Sequence, residues 1–151
     1  MDKHYTVSVM LVARSKPIRV LLGFHRKLQK WLPPGGHQDE NENPLDTIIR
    51  ETREETGFDI SPYIPKSKQL EDRVTLVPVP DFFLEEGIPA LGDHPAHIHM
   101  DWNYILHVPL FEPKFPDREY EKMQWFTKEE AQNIDTFANI REYILPKCYS
   151  V

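Results

Sequence analysis

The sequence predicts an α/β fold in which helices sandwich a mixed β-sheet. Three observations predict it. Two apolar runs of strand length lie near the start, at Tyr5–Ala13 and Ile18–Phe24. A helix-period segment with both ends marked follows from Pro44. An alternating strand and a helical C-terminal region come after it, so strands and helices interleave as they do in layered α/β domains. The 151 residues suit one domain, residues 1–151, with room for one real core.

Each element has a local reason. YTVSVMLVA, from Tyr5, is apolar and rich in β-branched residues, and IRVLLGF, from Ile18, repeats that character. Lys16-Pro17 between them suits a turn. WLPPGG, from Trp31 to Gly36, reads as a loop, with φ fixed at two prolines and free at two glycines. Asn43 is a good N-cap and Pro44 suits the first helical position. Leu45, Ile48, Ile49, Thr52 and Thr56 then recur at helical spacing and face the sheet, and Gly57 stands just past the helix end.

RVTLVPV, from Arg73, predicts a strand near an edge or an end, because Pro78 and Pro80 cannot donate to a ladder. Glu85 to Pro95, with its glycines and prolines, predicts a loop. From His97 to Val108, apolar Ile98, Met100, Trp102, Tyr104, Leu106 and Val108 alternate with polar partners, broken only at Ile105; this is a strand. Met123–Phe126 predicts a short strand. Lys128–Asn133 and Phe137–Leu145 predict helices, the second ended by Pro146.

Composition narrows the function classes. Hydrophobic residues make up 40% and charged residues 28%, the balance of a soluble globular chain rather than a disordered one. A net charge of −6 and the lack of a Lys/Arg block argue against long nucleic acid as a partner. A small phosphate ligand remains compatible, since a metal ion can supply the positive charge. The single cysteine, Cys148, cannot form an internal disulfide. MDKHYTVSVML lacks a basic region and a cleavage site, so it reads as a first strand and not a signal peptide. No apolar run approaches membrane-spanning length. The expected location is the cytoplasm, with no membrane partner; a homodimer is compatible with these features.

The stretch RETREETG, residues 50–57, breaks a local rule. Glu51 neighbours Glu54 and Glu55 on one helical face, at about 0.2–0.5 kcal/mol of repulsion per pair. The acids also crowd the helix C-terminus, where the dipole opposes them by roughly 0.3–1 kcal/mol each. Arg50 offsets part of this by pairing with Glu54. One reading is a solvated face of mixed sign. The other is a divalent cation held between the carboxylates, since hard Mg²⁺ prefers oxygen ligands and keeps waters that phosphates can replace.

The upstream spacing favours the second reading. From Gly36 the chain fits Gly-x5-Glu-x7-Arg-Glu-U-x-Glu-Glu-x-Gly-U, with U a bulky apolar residue. The matched residues are Gly36, Glu42, Arg50, Glu51, Glu54, Glu55, Gly57 and Phe58. This resembles the Nudix box, and the chain resembles a Nudix hydrolase. WLPPGG resembles the family's entry into the motif, and WFTKEEA, from Trp125, resembles its C-terminal Trp-plus-helix segment. Thr52 departs from the pattern, standing where the family prefers an aliphatic.

The resemblance implies a Nudix-fold α/β/α sandwich and hydrolysis of the diphosphate linkage of a nucleoside diphosphate derivative, a (d)NTP or a nucleotide sugar. It implies Mg²⁺ (or Mn²⁺) as cofactor and a small nucleotide as partner. Glu51, Glu54 and Glu55, with the Gly35 carbonyl, are the implied metal ligands. Glu51 is a candidate general base oriented by Arg50, though either Glu51 or another carboxylate of the set can fill that role. Glu42 is expected to support the loop–helix geometry or to touch metal through water. Glu119 or Glu121 can supply a further ligand or base, and Arg26 a phosphate contact; all three also read as plain surface residues. The alternative function is a non-catalytic nucleotide sensor on the same fold, which has no need of three carboxylates. A decapping-type RNA hydrolase shares the box but calls for a basic groove.

HIHMDW, residues 97–102, is a second candidate. His97, His99 and Asp101 share one strand face. The spacing resembles the His-x-His-x-Asp-His motif of metallo-β-lactamase-like hydrolases, but Trp102 replaces the last His and the surrounding elements do not fit. His99 and Asp101 are instead expected to line the substrate pocket. The competing reading is a polar strand face packed under a loop.

Overall fold

A seven-stranded mixed sheet is built around the first strand, β1 (Lys3–Ala13), in a computed structural model that describes residues 1–150. β2 (Arg19–His25) and β4 (Gly35–His37) pair antiparallel with one edge of β1, and β8 (His97–His107) pairs parallel with the other. β3 (Lys30–Leu32) and β9 (Tyr120–Thr127) flank β2, and β7 (Phe82–Ile88) closes the far edge against β8. β5 (Lys68–Glu71) and β6 (Val74–Leu76) form a separate exposed hairpin.

Alternation along β1 divides the core in two. Val7, Val9 and Leu11 pack with Leu45 and Ile48 of α1 (Pro44–Thr56). Met10 and Val12 pack on the opposite face with Ile140, Ile144 and Leu145 of the C-terminal helix. The sheet is therefore covered on both faces, the α/β/α arrangement that the interleaved pattern implied.

α1 forms as its end signals predict. The Asn43 side chain accepts from the Asp46 amide, and the Asp46 carboxylate accepts from the Asn43 amide in return. Gly57 takes the left-handed conformation, φ 75°, that ends the helix without a Cβ penalty. Leu45, Ile48, Thr52 and Thr56 are buried as expected; Thr47 is buried too, while Ile49 is only half-buried.

Several expectations change. The WLPPGG loop contains two short strands, because Gly35 lets β4 lie against β1 where a Cβ would collide with the Val7 carbonyl. The strand expected at Arg73–Val79 shrinks to Val74–Leu76 outside the main sheet, with the prolines stopping its growth. The loop expected from Glu85 begins instead after Ile88, since Phe82–Ile88 is an edge strand whose side chains alternate half-buried and exposed. Its acidic and glycine residues sit on a half-wet surface and hide the strand signal. The last helix runs on past Pro146 to Tyr149 as α3 (Leu145–Tyr149). A π-helical turn, Ile140–Ile144, precedes it, in which Leu145 N–H reaches the Ile140 carbonyl and the ladder is re-registered before the proline. Between β9 and that turn, α2 (Lys128–Ala131) is capped by Thr127.

Candidate active site

The C-terminal half of α1 meets the end of β2 and the loop before β9. A cavity of about 480 Å³ opens there. Glu51, Glu54 and Glu55 line it from α1, His25, Arg26 and Lys27 from the end of β2, and Pro116, Arg118, Glu119 and Tyr120 from the loop and β9. Acids and cations thus share one cleft, an arrangement suited to a polyanion that arrives with metal ions.

Arg50 organises the acids. Its Nη1 donates to Glu51 Oε1 at 2.9 Å and lies 3.6 Å from Glu54 Oε2. Its Nε and Nη2 donate to the two oxygens of Glu42 at 2.8 and 3.1 Å, and Nη2 also donates to the His37 carbonyl at 3.1 Å. Glu42 accepts further from the Asp39 amide and the Thr47 hydroxyl. These bonds, above all that from Arg50, hold the Glu42 carboxyl at about 2. The supporting role expected of Glu42 is its contact pattern here. Glu51 is mostly buried, and desolvation raises its pKa against the pull of Arg50.

Glu55 is the most deeply placed acid, 4% exposed. Its Oε1 accepts from the Gly35 amide at 2.9 Å, while its Oε2 is buried without a partner. Burial, and then the neighbouring Glu119, push its pKa well up. Glu119 moves the other way, held ionised chiefly by His25, whose Nε2 is 3.6 Å from Glu119 Oε1. An unpartnered buried oxygen among three acids fits a hard divalent ion. Glu51, Glu54 and Glu55 are the residues that could hold it, and the backbone of Gly35 touches the same carboxylate. Glycine is required beside them: a Cβ at Gly36 would collide with the Glu51 carboxylate.

The remaining sequence candidates divide. Arg26 lines the cavity and pairs with Asp117 and, at 3.5 Å, with Glu121. Of the two acids weighed before Trp125, Glu119 lines the cavity, whereas Glu121 is tied to Arg26 outside the lining. His99 and Asp101 are not brought to this cavity. They lie on the sheet face opposite α1, because β8 pairs with β1 in a register that sets Asp101 beside Thr6. Asp101 is buried there and accepts from Thr6 Oγ1 at 2.7 Å, Ser8 Oγ at 3.0 Å and Asn103 Nδ2 at 2.8 Å. Trp102 points to the other side and stacks on Phe83, ring centroids 4.3 Å apart.

Sequence reasoning missed His25, Lys27, Arg118 and Tyr120. Lys27 follows Arg26 directly, which was an available signal; Arg118 and Tyr120 come from a segment with no motif. Thr52, the departure from the box, is fully buried, and its hydroxyl has no hydrogen-bond partner.

The chain resembles known proteins in both sequence and fold. The sequence pattern of the NUDIX domain matches residues 2–148. A 34-residue segment is 56% identical to the bis(5'-nucleosyl)-tetraphosphatase [asymmetrical] of Mus musculus, covering 22% of this chain and 23% of that protein. A probable DHNTP pyrophosphohydrolase of Lactococcus lactis subsp. cremoris (strain MG1363) is 37% identical over 84 residues, 56% of this chain and 43% of that one. The chain thus spans less than half the length of these curated relatives. The crystal structure of a hydrolase, NUDIX family, from Clostridium perfringens superposes with a TM-score of 0.74 at 26% identity, covering 99% of this chain and 97% of that one.

Proposed function

The chain belongs to the NUDIX domain family, and from that premise we propose that it is a Mg²⁺-dependent (or Mn²⁺-dependent) pyrophosphohydrolase. Its substrate class is a small nucleoside diphosphate derivative: a nucleoside triphosphate, a nucleotide sugar or a dinucleoside polyphosphate. One observation carries the reading. Glu51, Glu54 and Glu55 converge with Glu119 on a cavity whose other walls bear Arg26, Lys27 and Arg118.

Glu51, Glu54 and Glu55 would hold the metal, with the Gly35 carbonyl as a further ligand. When bound, the ion neutralises phosphate oxygens and makes water a stronger acid. The chain's own residues supply the rest. Arg50 fixes the Glu51 carboxylate in one orientation, leaving its second oxygen to accept a proton at the cavity wall. Arg26, Lys27 and Arg118 attract and align the phosphates. The names of the relatives, a tetraphosphatase and a DHNTP pyrophosphohydrolase, support this class without choosing a member.

The test is a nucleotide panel with purified protein and Mg²⁺, with products identified chromatographically. Turnover that falls at least about a thousandfold in Glu54→Gln is expected. Specific nucleotide binding with no turnover anywhere in the panel would make the chain a sensor and overturn the proposal.

A further inference from the structure

The sheet face opposite α1 gathers four histidines from three strands. His4 on β1 pairs in register with His99 on β8. His37 on β4 pairs with Thr6, which shares the pleat face of His4. His97 lies two residues from His99 on that same face. The rings crowd together: centroids are 5.1 Å apart for His37 and His99, 5.7 Å for His4 and His37, and 4.8 Å for His4 and His97. One nitrogen each from His4, His37 and His99 lies within 4.8 Å of the others.

We infer that His4, His37 and His99 form a second metal site, separate from the carboxylate cavity, for a borderline divalent ion of the Zn²⁺ class. The donor set decides the class. Imidazole nitrogens suit Zn²⁺ and its transition-metal neighbours, whereas Mg²⁺ and Ca²⁺ take oxygen. A zinc site needs nitrogens about 2.0–2.1 Å from the ion, so these three donors would draw closer together on binding.

The hydrogen bonds around the cluster set the tautomers as a ligating site requires. His97 Nδ1 is 3.0 Å from the Pro95 carbonyl, which can only accept, so the ring proton of neutral His97 sits on Nδ1. Its bare Nε2 then faces His99 Nε2 at 3.0 Å and accepts the proton there. That leaves the other His99 nitrogen with a free lone pair. A metal-bound histidine usually donates its other ring N–H to an acceptor that fixes its orientation, and His97 Nε2 is placed to be that acceptor for His99. Burial, then the neighbouring imidazoles, lower His99 to about 4, so that ring offers a neutral nitrogen near pH 7. Neutral imidazole binds a metal but does not hold an anion, which argues against a phosphate subsite.

An ion here would pin β1, β4 and β8 together at one point. His37 also links the two sites, since its carbonyl accepts from Arg50 and the preceding Gly36 abuts Glu51. The site would thus brace the strand that leads into the carboxylate helix.

The inference does not depend on the hydrolase reading, and its test uses no substrate. Tag-free full-length protein, stripped with chelator, is titrated with Zn²⁺ in excess Mg²⁺ against a chromophoric competitor, and separately with Co²⁺ for visible absorption bands. One equivalent of Zn²⁺ is expected, retained in Glu54→Gln. His99→Ala and His37→Ala should abolish stoichiometric binding, while His97→Ala should weaken it roughly 10–100-fold. Circular dichroism checks that each variant folds; His37 is exposed, so His37→Ala decides if His99→Ala does not fold. Absence of stoichiometric Zn²⁺ binding, binding unchanged in His37→Ala, or binding lost in Glu54→Gln would each overturn the site.

Discussion

Arg50 and Glu42 meet side by side, Nε to Oε2 at 2.8 Å and Nη2 to Oε1 at 3.1 Å, and the pair ties the loop after β4 to the middle of α1. A two-point, charge-assisted contact fixes orientation as well as distance. Arg50 can therefore aim a third nitrogen at Glu51 only while Glu42 holds the guanidinium still.

The Glu42 carboxyl at about 2, below its ordinary 4.5, gives a pH signature. Because the folded value is the lower one, the pair's contribution is fully present above pH 4.5 and is lost as pH falls through 2. Glu42→Gln is expected to cost roughly 1–2 kcal/mol near neutral pH, replacing charged hydrogen bonds by weaker ones. The gap between wild type and variant, followed by urea unfolding from pH 6 to 3, should narrow below pH 4.5. A gap independent of pH would rule out this account of the pair.

The two glycines of β4 separate stability from site geometry. A Cβ at Gly35 meets the Val7 carbonyl, which is fixed in the sheet. Gly35→Ala should therefore lower stability by roughly 2 kcal/mol or more. A Cβ at Gly36 meets the end of the Glu51 side chain, which can swing away. Gly36→Ala should keep most of its melting temperature but lose Mg²⁺ affinity and turnover. Paired thermal melts and Mg²⁺ titrations decide; the reverse pattern would show the assignment to be wrong.

Thr52 is where the chain departs from its family, and the structure gives the departure a cost. The hydroxyl is buried in α1 with no partner, whereas Thr56 one turn later bonds the Thr52 carbonyl at 2.7 Å. Thr52→Val keeps the shape and removes the orphan group. It should stabilise the protein by about 1 kcal/mol or more, read by chemical denaturation. A destabilised variant would mean that the hydroxyl has a partner in solution, such as a bound water.

The sequence announced α1 and its acids because every signal is local. Asn43, Pro44 and Gly57 act within a turn of the helix end, and Glu51, Glu54 and Glu55 lie within five residues on one face. β7 stayed hidden because an edge strand with one wet face can carry Glu85, Glu86 and Gly87 without an alternating apolar pattern. Glu119 and Arg118 reach the cavity through a loop whose course is set by tertiary packing. His99 stood out in HIHMDW, but its companions His4 and His37 are 95 and 62 residues away, and only strand register joins them. That register also turns His99 and Asp101 to the face opposite α1, which strand alternation alone could not specify.

Glu55 ties protonation to metal binding. Its pKa is raised by burial and by Glu119, so the metal-free protein is stabilised while Glu55 is protonated and loses that stability as pH rises through the folded value. A divalent ion reverses the preference, since it binds the carboxylate and displaces the proton. Mg²⁺ binding near pH 7 should therefore release a proton, and affinity should rise by up to roughly tenfold per pH unit. Calorimetry in buffers of different ionisation enthalpy measures that release. Glu55→Gln should stabilise the metal-free protein above neutral pH, flatten its stability profile and abolish proton release, while weakening Mg²⁺ binding. Undiminished proton release in Glu55→Gln would assign the proton to another group, with Glu51 the first to examine.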